Sequence, residues 1–81
     1  MDRDFVAEIL YQTRKDNLII EFKESMESSS LVYSMIVVLK SNKKVYTFKM
    51  SKEEWDKMRF LIDVVEEERK MEYAIKRTRL C

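Results

Sequence analysis

The chain contains no glycine and no proline, and this absence bounds what it can build. Glycine loops that cradle phosphate, tight Asn-Gly hairpin turns of type I′ and the glycine fingerprint of dinucleotide-binding folds are all removed. Histidine is missing too, and the single cysteine is Cys81. Without them the usual zinc sites and the Ser/His or Cys/His nucleophile pairs cannot be assembled. Carboxylates are plentiful, with 15 Asp and Glu, but no spacing singles out a catalytic pair. The expectation is a non-enzymatic protein with no metal and no cofactor.

At 81 residues the sequence reads as a single domain, 1–81, close to the size at which one core barely suffices without staples. A partner chain would help. One cysteine allows no intrachain disulfide, which points to a reducing compartment. The longest apolar run, Met35 to Leu39, falls far short of the roughly 20 residues of a membrane span, and "MDRDF" lacks the charge pattern of a signal peptide. A cytoplasmic or nuclear protein with no membrane contact is expected. Charged residues make up 38% of the chain, yet 16 Lys and Arg against 15 Asp and Glu nearly cancel. Any electrostatic preference must therefore come from local patches.

Hydrophobic periodicity predicts a sheet over about 5–50 and a helix over about 51–78. "NLIIEFK" alternates, with Leu18, Ile20 and Phe22 on one face and Ile19, Glu21 and Lys23 on the other, as a half-buried strand does. "SMESSS", Ser25 to Ser30, reads as a connecting loop. "LVYSMIVVLK" places Leu31, Tyr33, Met35, Val37 and Leu39 on one side and is only partly polar on the other. "SNKK" at Ser41 to Lys44 reads as a turn, after which "VYTFKM" sets Tyr46, Phe48 and Met50 opposite Val45, Thr47 and Lys49. Tyr46 is expected in the core. The first segment, "RDFVAEILYQTRKD", fits two patterns. As a strand it shows Phe5, Ala7, Ile9 and Tyr11 on one face; as a helix it shows Phe5, Val6, Ile9, Leu10 and Thr13, with acid at its start and Arg14-Lys15 at its end. The strand is preferred, giving an α+β fold with a curved antiparallel ββββα sheet and one long C-terminal helix; the alternative is αβββα.

"MSKEEWDKMRFLIDVVEEERK", residues 50–70, carries the clearest local signal. Ser51 and Glu54 form the S-x-x-E capping box, and Met50 and Trp55 stand where a hydrophobic staple belongs. Trp55, Met58, Ile62 and Val65 then make a stripe suited to lie on a sheet, extended by Leu61. Phe60 and Val64 fall off that stripe. Apolar surface of this kind is costly to leave bare, so Phe60, Leu61 and Val64 are expected to meet the same helix of a second copy in a homodimer.

The order of elements and the junction "FKMSKEEWDKMRFLIDVVEEE" resemble the positive cofactor four family of single-stranded-DNA-binding transcription coactivators. The similar Whirly and purine-rich-element-binding (PUR) domains share the ββββα plan. The matching positions are Met50, Ser51, Glu53, Glu54, Trp55, Met58, Ile62, Val65, Glu66 and Glu67, with "RKDNLIIEFKE" similar to a basic turn entering an aliphatic strand. The resemblance spans roughly residues 8–68. It implies a homodimer joined through the helices and a sheet surface that holds single strands. The family's turn glycines are absent here, and the net charge is weak.

Single strands are held where cationic side chains track phosphates and aromatic rings stack on bases. The candidates are Arg14, Lys15, Lys40, Lys43, Lys44 and Lys49, with Tyr11 and Tyr33 as stacking rings. Arg14-Lys15 and Lys43-Lys44 stand out because two hairpin tips can flank one groove. A different class follows if the first segment is helical, since αβββα looks like several tiny phage-encoded anti-defence proteins, including anti-CRISPR proteins. The partner is then a host protein that handles nucleic acid, met by the hairpin tip or by the acidic run Glu66 to Glu68.

Overall fold

The computed structural model describes residues 2–79, with side chains described as far as Glu72 and at Ala74. Cys81 lies outside the described residues, as do the side chains of the basic tail Lys76, Arg77 and Arg79. The element order is α1 (Arg3–Arg14), β1 (Leu18–Glu27), β2 (Ser30–Leu39), β3 (Val45–Met50) and α2 (Lys52–Arg79). The strands form one antiparallel sheet in the order β1-β2-β3.

The expected fourth strand is therefore corrected: residues 5–12 belong to a helix, and the architecture is αβββα. Asp2 caps that helix, its Oδ1 accepting from the Asp4 backbone N–H at 3.0 Å, which satisfies one of the amides a helix start leaves bare. Packing explains the choice. The helical set Phe5, Val6, Ile9, Leu10 and Thr13 turns inward as a group, whereas the strand set is split, because Ala7 and Tyr11 are exposed. Buried Thr13 satisfies its hydroxyl by donating to the Ile9 carbonyl at 2.8 Å.

The chain has no glycine, and among the described residues Asp16, Ser28, Ser29 and Lys43 take positive φ instead. Ser28 and Ser29, at φ 50° and 67°, stand alone between the paired residues Glu27 and Ser30. This is the two-residue hairpin geometry that requires positive φ at both central positions. The serine-rich segment is thus not the loop its composition suggested. Strand pairing runs through Ser25, Met26 and Glu27, and only two serines turn the chain.

Both helices cover the same sheet face. Phe5 of α1 meets Phe48 of β3 edge-on, with ring centroids 4.7 Å apart. Trp55 of α2 meets Phe22 of β1 at 5.9 Å and Tyr33 of β2 at 5.2 Å. The helices run side by side in one direction, Val6 lying near Glu54 and Met58 and Arg14 pairing with Glu68. Between helices and sheet, Ile9, Met35, Val37, Met58 and Ile62 form the buried core. The stripe Trp55, Met58, Ile62 and Val65 is buried throughout, as its spacing predicts. The Ser51 cap is formed as well: the Glu54 N–H donates to Ser51 Oγ and the Ser51 hydroxyl donates to Glu54 Oε1, both at 3.2 Å.

Candidate functional site

The end of α1 explains how the basic residues meet. Asp16 N–H donates to the Thr13 carbonyl and Asn17 N–H to the Gln12 carbonyl, each at 3.0 Å, the paired bonds of a Schellman helix stop with left-handed Asp16 where glycine is usual. The Lys40 N–H then donates to the Asn17 carbonyl at 2.8 Å, setting the β2–β3 turn beside the helix end. In that turn the Lys43 N–H donates to the Leu39 carbonyl at 2.8 Å, and Asn42 Oδ1 accepts from the Lys44 N–H at 3.0 Å. Arg14, Lys15, Lys40, Lys43 and Lys44 are in this way carried by one end of the molecule, although Arg14 and Lys15 close a helix and not a hairpin.

Much of that charge is already engaged. Lys40 Nζ lies 2.9 Å from Asp16 Oδ1, Arg69 pairs with the same carboxylate, and Arg14 lies 3.3 Å from Glu68. The Lys40 hydrogen bond, seconded by Arg69, holds the Asp16 carboxyl below its ordinary range. Lys15 sits over the Tyr11 ring at 5.5 Å. Lys43 and Lys44 join no ion pair among the described residues.

Two expected members are placed elsewhere. Lys49 lies at the other end of β3 and pairs with Glu27 at 3.3 Å. Tyr33 is half-buried against Trp55, with Lys52 Nζ 5.8 Å from its ring centre, so its faces are taken. Tyr11 is exposed on α1. Tyr46 follows the basic turn two residues after Lys44; periodicity assigned it to the core, but it is 42% exposed. Its face of the sheet is helix-covered, but it stands near the start of β3, where an open groove of about 420 Å³ is lined by Phe5, Ile9, Leu39, Phe48 and Tyr46, with Gln12 and Asn17 among its polar members. The signal in the sequence was its closeness to Lys43 and Lys44; periodicity reports which face a residue takes, not how far the cover extends.

Two further surfaces are apolar and bare. On the sheet face opposite the helices, Ile19, Val38 and Val45 are paired side by side across all three strands, with Ile19 54% and Val45 62% exposed. Ile36 lies in the next row between Glu21 and Thr47. On α2, Phe60 is 66% exposed and Val64 39%, while Leu61 is half-buried. Of the acidic run, Glu67 is exposed, Glu66 is half-buried and Glu68 is tied to Arg14.

Among the described residues no group of carboxylates or other ligating side chains is arranged to hold a metal ion, and no helix is long and apolar enough to cross a membrane. Comparison with protein-family models, with curated proteins and with solved structures finds no match to this chain.

Proposed function

We propose that this chain is a non-enzymatic binding protein whose partner is another protein, in the manner of a small inhibitor or adaptor. One observation carries the reading: among the described residues, the sheet face bearing Ile19, Val38 and Val45 has no layer over it. A two-layer domain ordinarily turns its apolar sheet face inward, and contiguous bare apolar surface marks a contact site. Along the same face Glu21 and Thr47 flank Ile36 in the next row and Lys23 and Lys49 flank Ser34 in the row beyond, giving the apolar row a polar margin on that side, as protein interfaces have at their rims. The αβββα order is the plan for which the sequence resembles small phage anti-defence proteins, and that resemblance makes the partner a host protein that handles nucleic acid. The compartment in this reading is the cytoplasm of the host cell.

The electrostatics favour this over a phosphate-tracking surface. Binding to nucleic acid draws its affinity from cations free to replace counterions, and here Arg14, Lys40 and Lys49 are each paired with a carboxylate. A second reading, single-stranded nucleic-acid binding of the transcription-cofactor kind, draws on one specific feature. The unpaired Lys43-Lys44 turn adjoins the aromatic groove of Tyr46.

The deciding experiment has two arms. A fluorescent single-stranded oligonucleotide titrated in at low salt is expected to show no saturable binding, and tight, salt-sensitive binding would overturn the protein-partner reading. In the second arm, crosslinked partners of the native chain are compared with those of the Ile19→Glu/Val45→Glu variant. Both positions lie outside the core, so the variant should fold and lose the partner; identical capture by the two chains counts against the sheet face.

A further inference from the structure

We infer that α2 pairs with α2 of a second copy in an antiparallel, two-fold contact, using the side of the helix that faces away from the core. An α-helix completes a turn in about 3.6 residues, so Trp55, Met58, Ile62 and Val65 occupy one side. Lys57, Phe60, Val64, Glu67 and Met71 fall on the other, at the alternating three- and four-residue spacing of a helix-pairing seam. All five are exposed, and Met71 is 62% so. A single helix thus carries an apolar stripe on each of two opposite sides, and the sheet covers one of them.

Charge placement selects the occupant. Lys57 and Glu67 stand symmetrically outside the Phe60–Val64 pair, and neither takes part in an ion pair among the described residues. When two copies run antiparallel, Phe60 of each meets the partner's Val64, while Lys57 of each meets the partner's Glu67. The apolar centre is then bracketed by two equivalent ion pairs. A parallel pair would set Lys57 on Lys57 and Glu67 on Glu67, which is unfavourable.

The reach of α2 adds a second, independent reason. Its 28 residues span about 42 Å at 1.5 Å per residue, whereas among the described residues its last buried side chain is Val65. Met71 follows six residues further along and is 62% exposed. In the antiparallel pair it lies opposite the partner's Glu53, over the first turn of that helix, so this exposed methionine gains a surface to rest on. A contact of one helix against one helix is small, below the roughly 1,200 Å² of standard interfaces, and such contacts are weak. The helix layer forms this dimer and the opposite sheet face stays open, so the dimer and the protein-partner reading stand or fall separately.

Sedimentation equilibrium from low to high micromolar concentration tests the pairing, with circular dichroism to show that each variant is folded. The native chain is expected to dimerise, and Phe60→Glu to be monomeric. Lys57→Glu alone and Glu67→Lys alone should each weaken the dimer by about tenfold, because each replaces two attractive pairs by two repulsive ones. Lys57→Glu/Glu67→Lys, which restores opposite charges across the seam, should recover most of the native affinity. A native chain that is monomeric throughout overturns the dimer; a double variant as weak as the singles overturns the antiparallel register; a Phe60→Glu chain that still dimerises removes the seam.

Discussion

The indole N–H of Trp55 donates a 3.0 Å hydrogen bond to the carbonyl oxygen of Ser34. This joins the first turn of α2 to the central strand, where the ring is also packed edge-on by Phe22 and tilted against Tyr33. Arg59 completes the enclosure, its guanidinium carbon 5.4 Å from the ring centre. Since the chain has one tryptophan, its fluorescence reports this junction directly.

Replacing Trp55 separates the hydrogen bond from the packing. Trp55→Phe keeps most of the apolar area and should cost about 1 to 2 kcal/mol, the range for a lost hydrogen bond plus a modest shape change. Trp55→Ala leaves a cavity beneath the helix start and should cost about 3 to 5 kcal/mol. Urea denaturation followed by circular dichroism measures both, and equal losses would show that the indole N–H, not the ring, holds the junction.

The β1–β2 hairpin should be easy to improve. Ser28 and Ser29 both hold left-handed backbone, which costs a residue with a Cβ roughly 1 to 2 kcal/mol relative to its preferred conformation. Ser28→Asn/Ser29→Gly supplies the favoured residues for this turn and is expected to add about 1 kcal/mol. In a domain of this size that raises Tm by about 4 to 8 °C. A fall in Tm on thermal melting would mean that the serine side chains contribute something the turn geometry does not reveal.

Asp16 couples the helix stop to the charge ties at the basic end. Its carboxyl is held below its ordinary range by Lys40 first and Arg69 second, so the folded state prefers the ionised form. The resulting stabilisation is fully present above the unfolded carboxyl pKa of about 4 and is lost as pH falls through the lower folded value. Asp16→Asn tolerates the same left-handed backbone but drops the charge. The native chain should melt above the variant at neutral pH, with the gap closing below about pH 4 and shrinking in high salt; a gap that persists in acid would assign the difference to backbone geometry.

The single-strand reading makes a prediction of its own at the β2–β3 turn. Should an oligonucleotide bind, Lys43→Ala/Lys44→Ala should flatten the salt dependence of log Kd by about one to two units, each neutralised phosphate contributing about 0.7. Tyr46→Ala should weaken binding by about 1 to 3 kcal/mol through lost stacking. Melting temperatures of the Lys43→Ala/Lys44→Ala chain should be nearly unchanged, since exposed charges contribute little to folding. An unaltered salt slope would move the contact away from this turn.

What the sequence determined by itself was local. Ser51 and Glu54 announce a helix start because a capping box is made from residues close in the chain, and the Trp55-to-Val65 stripe names its buried side because a helix has one period. Alternation likewise placed Leu18, Ile20 and Phe22 on the inner face of β1. The first segment was different: Phe5 and Ile9 are inward in either pattern, and only the docking of Val6, Leu10 and Thr13 against the core and α2 made the helix the better burial. Ser25 to Glu27 became strand because β2 lay opposite and completed their pairing, although composition alone favoured a loop. Tyr46 was left half-open because the helix cover stops short of it, and Arg14 and Lys40 were neutralised by Glu68 and Asp16 across the fold. Each of these outcomes depends on neighbours distant in the chain, and that information exists only once the layers have packed.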